Sequence, residues 1–310
     1  PAFVKAFGAI GIFKAIFISI SSFCNTGFDV LSFEPGLESL IGFSSNVSVL
    51  LSVSFLIVLG GIGFWVIMDI TKTRKINRLK LHSKIVLIST AVLILLGTMS
   101  YLLAEWNNPL TLGNMSVGQK FLNAFFMAVT PRSAGFNNVD INNLTAFSKT
   151  LTMLLMFVGA SPASTGGGIK TATVVVLIFA VIAGLKGKDR VILGKRYISA
   201  NITLKALAVV SVFCILTILC TMALLLTEST NPDIQGFYNI ENLFFEVLSA
   251  VNTVGLSFGI TPYLTISGKA ILMIAMFLGR IGPLTIGLLF LKNIKAEDKI
   301  RYPEAMILIG

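Results

Sequence analysis

Four apolar runs, at positions 49–68, 85–104, 206–227 and 270–291, constrain this chain more than any other feature. A helix needs about 20 apolar residues to cross a bilayer, and each run supplies them. A fifth run, 144–185, is too long for one crossing. The segment Gly159-Ala-Ser-Pro-Ala-Ser-Thr-Gly-Gly-Gly168 interrupts it, so it reads as one crossing made of two pieces and a break. Three shorter runs, 10–23, 117–129 and 238–251, fit re-entrant segments better than spans. Only 12% of the 310 residues are charged, against roughly 25% in soluble domains, so most of the chain does not face water.

The net charge of +10 would suggest nucleic acid in a soluble protein. Here the basic residues lie between apolar runs, and they read as topology instead. Segments 72–84, 186–205 and 292–301 hold six, six and four Lys or Arg, which is 16 of the 24. Segments 105–116 and 228–237 hold none. The basic loops are therefore expected on the cytoplasmic side, and all three re-entrant runs then fall on the extracellular side. Cys24, Cys214 and Cys220 have no paired spacing, and His82 is the single histidine. A disulfide framework, a zinc site or a His relay has little to build on.

Each re-entrant run ends in a similar phrase. These are Ser22-Phe-Cys-Asn-Thr-Gly27-Phe28, Val129-Thr-Pro-Arg-Ser-Ala-Gly135-Phe136 and Ala250-Val-Asn-Thr-Val-Gly255-Leu256. A dehydrated cation must be given oxygen ligands in place of water, and backbone carbonyls supply them without a full charge. Successive carbonyls aim at one axis only in unusual backbone conformations, which glycine adopts cheaply. Irregular backbone at membrane depth survives only where it lines protein or water. The negative end of a short helix dipole also favours a cation. One such loop would read as a tight turn or a close helix contact. Three, at the same place in successive units on one side, read as a cation filter. Its expected ion-binding residues are Asn25, Thr26, Gly27 and Phe28; Ser133, Ala134, Gly135 and Phe136; and Thr253, Val254, Gly255 and Leu256.

On these motifs the chain resembles, over essentially its whole length, the KtrB branch of the KtrB/TrkH superfamily of potassium transporters. Phe23-Cys-Asn-Thr-Gly-Phe28 is similar to the family's second filter, Thr130-Pro-Arg-Ser-Ala-Gly-Phe-Asn137 to the third and Ser249-Ala-Val-Asn-Thr-Val-Gly-Leu256 to the fourth. The ending Arg301-Tyr-Pro-Glu-Ala-Met-Ile-Leu-Ile-Gly310 is also similar. The resemblance implies an all-α membrane protein of repeated M1–pore helix–M2 units, pseudo-symmetric about a central ion pore. It implies residues 1–83 as the second unit without its outer helix, 84–190 as the third with a broken inner helix, and 191–310 as the fourth with the C-terminus. The first unit is then expected upstream of Pro1, and the chain to be a fragment. K+ is the implied ion, with Na+ as the alternative, because in related plant proteins a serine in place of a filter glycine shifts preference toward Na+. Location in the cell membrane, contact with membrane lipid, a homodimer and a cytoplasmic nucleotide-binding regulatory subunit of the KtrA type are implied as well.

The break between positions 159 and 168 cannot be an ordinary helix. Pro162 lacks a donor, and each glycine of a triplet costs roughly 1 kcal/mol in a helix. Broken helices at mid-membrane line substrate paths. Ile169 separates the glycines from Lys170 and Thr171, and no strand precedes them, so a phosphate-binding loop is excluded. In the resembled family this segment is a gate below the filter. The expected gate residues are Gly159, Ala160, Ser161, Pro162, Ser164, Thr165, Gly166, Gly167, Gly168 and Arg280. Arg280, inside the last apolar run, would be received by loop carbonyls or would snorkel to an interface.

Arg132, just before a filter glycine, would repel K+ and is expected to anchor its loop to a carboxylate, with Glu246 the candidate. Glu246, Asp29 and Asp140 lie near filters and either draw cations or are solvated loop acids. Lys170 and Lys269 are expected at interfaces. A membrane-embedded enzyme would need acids, histidine or cysteine clustered in the spans, which hold almost none.

Overall fold

In a computed structural model, residues 2–31, 39–188, 190–194 and 196–282 are described. The described helices are α1 (Ala2–Phe7), α2 (Ile10–Cys24), α3 (Val47–Ile62), α4 (Phe64–Thr73), α5 (Leu81–Glu105), α6 (Val117–Val129), α7 (Ala146–Phe157), α8 (Thr171–Leu185), α9 (Ala200–Glu228), α10 (Ile240–Val251) and α11 (Ile266–Ile281). Of these, α5 and α9 are each long and apolar enough to cross a membrane. The end of the last apolar run and the C-terminal motif lie outside the described residues.

Two features depart from the reading above. Run 49–68 is not one straight helix: α3 and α4 meet at Gly63 with a bend of 94°. Gly63 has φ +95°, and a side chain there would be pressed against the Pro162 carbonyl at 2.6 Å. Nor is the chain purely helical, because the basic segment after α8 folds into a hairpin. Strands Val191–Leu193 (β1) and Arg196–Ile198 (β2) pair antiparallel there.

The helices start where side chains take up free backbone N–H groups. Asn46, Thr145, Asn239 and Thr265 each accept such a bond at the start of α3, α7, α10 and α11. Ser116 and Gln119 form a reciprocal cap on α6. α5 packs on α6, α7 and α8, while α9 packs on α10 and α11, and α2 on α3.

One polar clamp occurs twice. Glu105, at the end of α5, accepts from the Thr145 N–H at 3.0 Å, the Thr145 hydroxyl at 2.7 Å and the Asn108 amide at 2.7 Å. Glu228, at the end of α9, accepts from the Thr265 N–H at 3.2 Å, its hydroxyl at 2.5 Å and the Asn231 amide at 2.6 Å. Each carboxylate is buried and ties the end of a long helix to the start of the helix that closes its group. Both carboxylates are thus fully hydrogen-bonded, which their burial demands.

Candidate functional site

The helices α2, α6 and α10 each run into one of the glycine loops, and the three loops share one backbone pattern. The residue two before each glycine is left-handed: Asn25 at φ +49°, Ser133 at +66° and Thr253 at +49°. The glycines follow at +71°, +78° and +90° for Gly27, Gly135 and Gly255. Left-handed conformation is costly for a residue with a side chain, so its recurrence at three matched positions is a built feature.

The glycines converge. A methyl on Gly135 would lie 3.2 Å from the α-carbons of both Gly27 and Gly255 and would collide with the Val254 carbonyl. One on Gly27 would lie 3.0 Å from the Ala134 carbonyl and 3.5 Å from the Val254 carbonyl. Gly135 therefore stands between the other two, and backbone oxygens crowd the common axis. A cavity of about 610 Å³ opens between the Gly27 and Gly255 loops, lined by Thr26, Thr253, Met276 and Arg280 among others.

A hydroxyl from the last turn of each short helix, or just beyond it, holds its loop. Ser21 donates to the Phe28 carbonyl at 2.8 Å. Thr130 donates to the Phe136 carbonyl at 2.7 Å and accepts from the Phe136 N–H at 3.0 Å. Ser249 accepts from the Gly255 N–H at 3.1 Å. All three hydroxyl residues are buried. The sequence reading did not single them out, although they recur six, five and six residues before their glycines. Of the large residues that follow the glycines, Phe136 and Leu256 are buried and Phe28 is exposed.

The break between α7 and α8 is a loop pinned at its base, where Val158 and Ile169 pair as a parallel bridge. It touches all three glycine-loop regions. The Ser161 and Thr165 N–H groups donate to the carbonyls of Gly61 and Gly60 at 3.0 and 3.2 Å. Those carbonyls belong to the last turn of α3, where a helix leaves its carbonyls unpaired. The Phe64 N–H returns a bond to the Ala163 carbonyl at 2.9 Å, so the bend at Gly63 is the seat of this loop. The Thr165 hydroxyl reaches the Phe23 carbonyl at 3.0 Å. Ser133 donates toward the carbonyls of Gly167 and Asn252, at 3.4 and 3.3 Å. Any side chain on Gly167 would strike the Thr253 hydroxyl, and one on Gly168 would lie 2.9 Å from the Asn252 amide oxygen. The glycine triplet is thus required by close approach as well as by the break. Beside the loop, both amide atoms of Asn25, the Asn252 amide oxygen and the Thr253 hydroxyl are buried without hydrogen-bond partners.

Four charged side chains are placed as follows. The cation that meets the loop is Lys170, whose ammonium donates to the Gly166 carbonyl at 2.7 Å. Arg280 lies exposed in the last turn of α11, lines the cavity between the Gly27 and Gly255 loops and makes no hydrogen bond to the loop. Among the described residues Arg132 is not paired with a carboxylate: it is buried and donates to the Thr90 hydroxyl at 3.3 Å. Glu246 accepts instead from Ser257 at 2.6 Å, the Phe258 N–H at 3.0 Å and Thr261 at 3.0 Å. It is buried, braces the third loop and lies along the wall of the cavity between the Gly27 and Gly255 loops.

The family model described as cation transport protein, TrkH, matches residues 2–302. The Ktr system potassium uptake protein B of Bacillus subtilis is 39% identical over 97% of the chain and 64% of that protein. The potassium/sodium uptake protein NtpJ of Enterococcus hirae is 40% identical over 99% of the chain and 66% of that protein. The chain therefore spans just under two thirds of the length of these curated relatives. The crystal structure of the potassium transporter TrkH from Vibrio parahaemolyticus superposes with a TM-score of 0.71 at 17% identity, covering 92% of the chain and 60% of that structure. That likeness is one of fold.

Proposed function

Because the chain belongs to the TrkH family of cation transport proteins, we propose that it conducts K+ across the cell membrane along the axis where Gly27, Gly135 and Gly255 meet. The family is one of transporters and not of enzymes, and the apolar helices make the chain a membrane protein. The observation that carries the reading is the shared backbone: three loops with the same pair of left-handed residues, converging on one another. Alternating handedness turns successive carbonyls toward one side, which is what a dehydrated cation needs.

On this reading α2–α4, α5–α8 and α9–α11 are three units around a pore. The twice-used glutamate clamp supports the equivalence of the last two. The cavity between the Gly27 and Gly255 loops is the fourth side of the axis. The basic segments face the cytoplasm. The loop between α7 and α8 is the gate, seated on the broken end of α3 and latched by Lys170. Unpartnered polar atoms of Asn25, Asn252 and Thr253 lie where water or a cation would pass between filter and gate. Arg280 acts through its charge in the cavity rather than as the latch. Homodimerisation and a nucleotide-binding cytoplasmic partner are proposed with it, the latter supported by the Ktr system name of the Bacillus relative.

Na+ permeation is the second reading, favoured by the potassium/sodium name of the Enterococcus relative. Rubidium uptake into vesicles carrying the protein, with Na+ as competitor, separates the two. Gly135→Ser places a side chain against the Val254 carbonyl and is expected to abolish the preference for Rb+. Discrimination that survives this change removes Gly135 from the filter, and wild-type uptake that Na+ suppresses equally favours the second reading.

A further inference from the structure

A slot of about 440 Å³ lies between α5 and α8, separate from the axis. Its walls are apolar along most of their length: Ile88 and Val92 on α5 face Val174, Val175 and Ile178 on α8. Ile88, Val92 and Ile178 are also open to the outside of the protein, so the slot is continuous with a membrane-facing surface. Its two ends differ. One is closed by Lys84 with Leu193 and Gly194 of the hairpin, and the other by Val158 and Thr171, which flank the loop between α7 and α8.

The first end carries more positive than negative charge: Lys84, Lys80 and Arg196 stand against Asp69, whose carboxylate accepts from the Lys80 N–H at 2.9 Å and from the Ser83 hydroxyl. The Lys84 ammonium gives one N–H to the Asn77 carbonyl at 2.8 Å, and an ammonium has three. Lys80, one residue from the slot's Leu81, and Arg196, paired with Leu193 across the hairpin, are both exposed. A long apolar slot with positive charge gathered at one mouth complements a molecule with a hydrocarbon tail and an anionic head. Burial of the tail and pairing of the phosphate then act together. A free anion would leave the apolar walls unmatched, and a zwitterionic lipid would leave the extra positive charge without a partner. We propose that this slot binds one acyl chain of an anionic phospholipid, with its phosphate held at Lys84 and neighboured by Lys80 and Arg196. The chain's far end then packs against Val158 and Thr171, so an occupied slot opposes separation of α8 from α5. The site rests on the membrane placement of these helices and not on the gate assignment.

The test is lipid retention, read without transport. The protein is extracted in mild detergent from vesicles of phosphatidylcholine and phosphatidylglycerol in equal parts, and bound lipid is identified by native mass spectrometry. The wild type is expected to retain phosphatidylglycerol in preference. Lys84→Gln is expected to lower that preference about fivefold, the equivalent of the ~1 kcal/mol that one basic residue contributes near an anionic surface. Val175→Trp fills the slot and is expected to abolish retention of either lipid. Equal retention of phosphatidylglycerol by wild type and both variants overturns the site. So does a lipid-free wild type whose dimer dissociates in Val175→Trp, because the occupant is then a second copy. If Val175→Trp fails to fold, the lipid preference of Lys84→Gln decides alone.

Discussion

The chain contains two kinds of irregular backbone between its apolar helices, and they are held in opposite ways. The three glycine loops are anchored by their own helices: Ser21, Thr130 and Ser249 each bond a residue six to seven positions further on. The loop between α7 and α8 is anchored by residues far away in sequence. It rests on Gly60, Gly61 and Phe23 before it and on Asn252 and Thr253 after it. A segment held by its own helix keeps its shape when its neighbours shift. A segment held by three separate groups of helices keeps its place only while those groups stay in register. The first arrangement suits a filter and the second suits a gate.

Removing Ser161–Gly168 should break this comparison most visibly. The deletion takes away every bond to α3 and to Phe23 but none of the local hydroxyl anchors. Passive rubidium efflux from vesicles is expected to rise by orders of magnitude while the preference over Na+ persists. Loss of gating and selectivity together would mean that the two regions are one unit. Lys170→Met comes next. It removes a charge-assisted bond to the Gly166 carbonyl, worth roughly 1.5–3 kcal/mol, so efflux should rise about ten- to hundredfold. A cysteine at Thr165 should also react faster with a water-soluble thiol reagent in this variant. Unchanged reactivity would show that Lys170 does not hold the loop down.

Thr130→Val probes the other side of the comparison. It removes two buried bonds to Phe136 at a cost of roughly 1–3 kcal/mol. Thermal stability and ion preference should both fall, with resting efflux raised less than in Lys170→Met. A variant that leaks yet discriminates normally would assign Thr130 to the gate.

Much of this arrangement was legible in the sequence because hydropathy and glycine act locally. The short helices α2, α6 and α10 fall within two residues of the expected re-entrant runs, and the break at Pro162 and the glycine triplet is where it was expected. The bend at Gly63 was not legible, since an apolar run reads the same whether straight or turned through 94°. What turns it is contact with Pro162 and Ala163, a hundred residues on. The hairpin was hidden in a segment whose charges announced only topology. Arg132 was misassigned because its partner, Thr90, is a neutral hydroxyl 42 residues away, whereas charge counting looks for an acid. That Lys170 rather than Arg280 meets the loop carbonyls was not legible, because which cation reaches a backbone carbonyl depends on the packing of α11 against the loop.

The smallest effect should come from Arg280→Ala. Its guanidinium lines the cavity beside the Gly27 and Gly255 loops without bonding to the loop between α7 and α8, and it shares that space with Thr26, Thr253 and Met276. It therefore opposes a cation by field alone, and a field in a water-accessible cavity is weakened by salt. Efflux should rise only a few-fold at low ionic strength and approach the wild-type rate as salt is raised. The rise in Lys170→Met should be nearly independent of salt, because a direct bond at 2.7 Å is not screened in this way. A large, salt-independent rise in Arg280→Ala would return the latch to Arg280 and reduce Lys170 to a bystander.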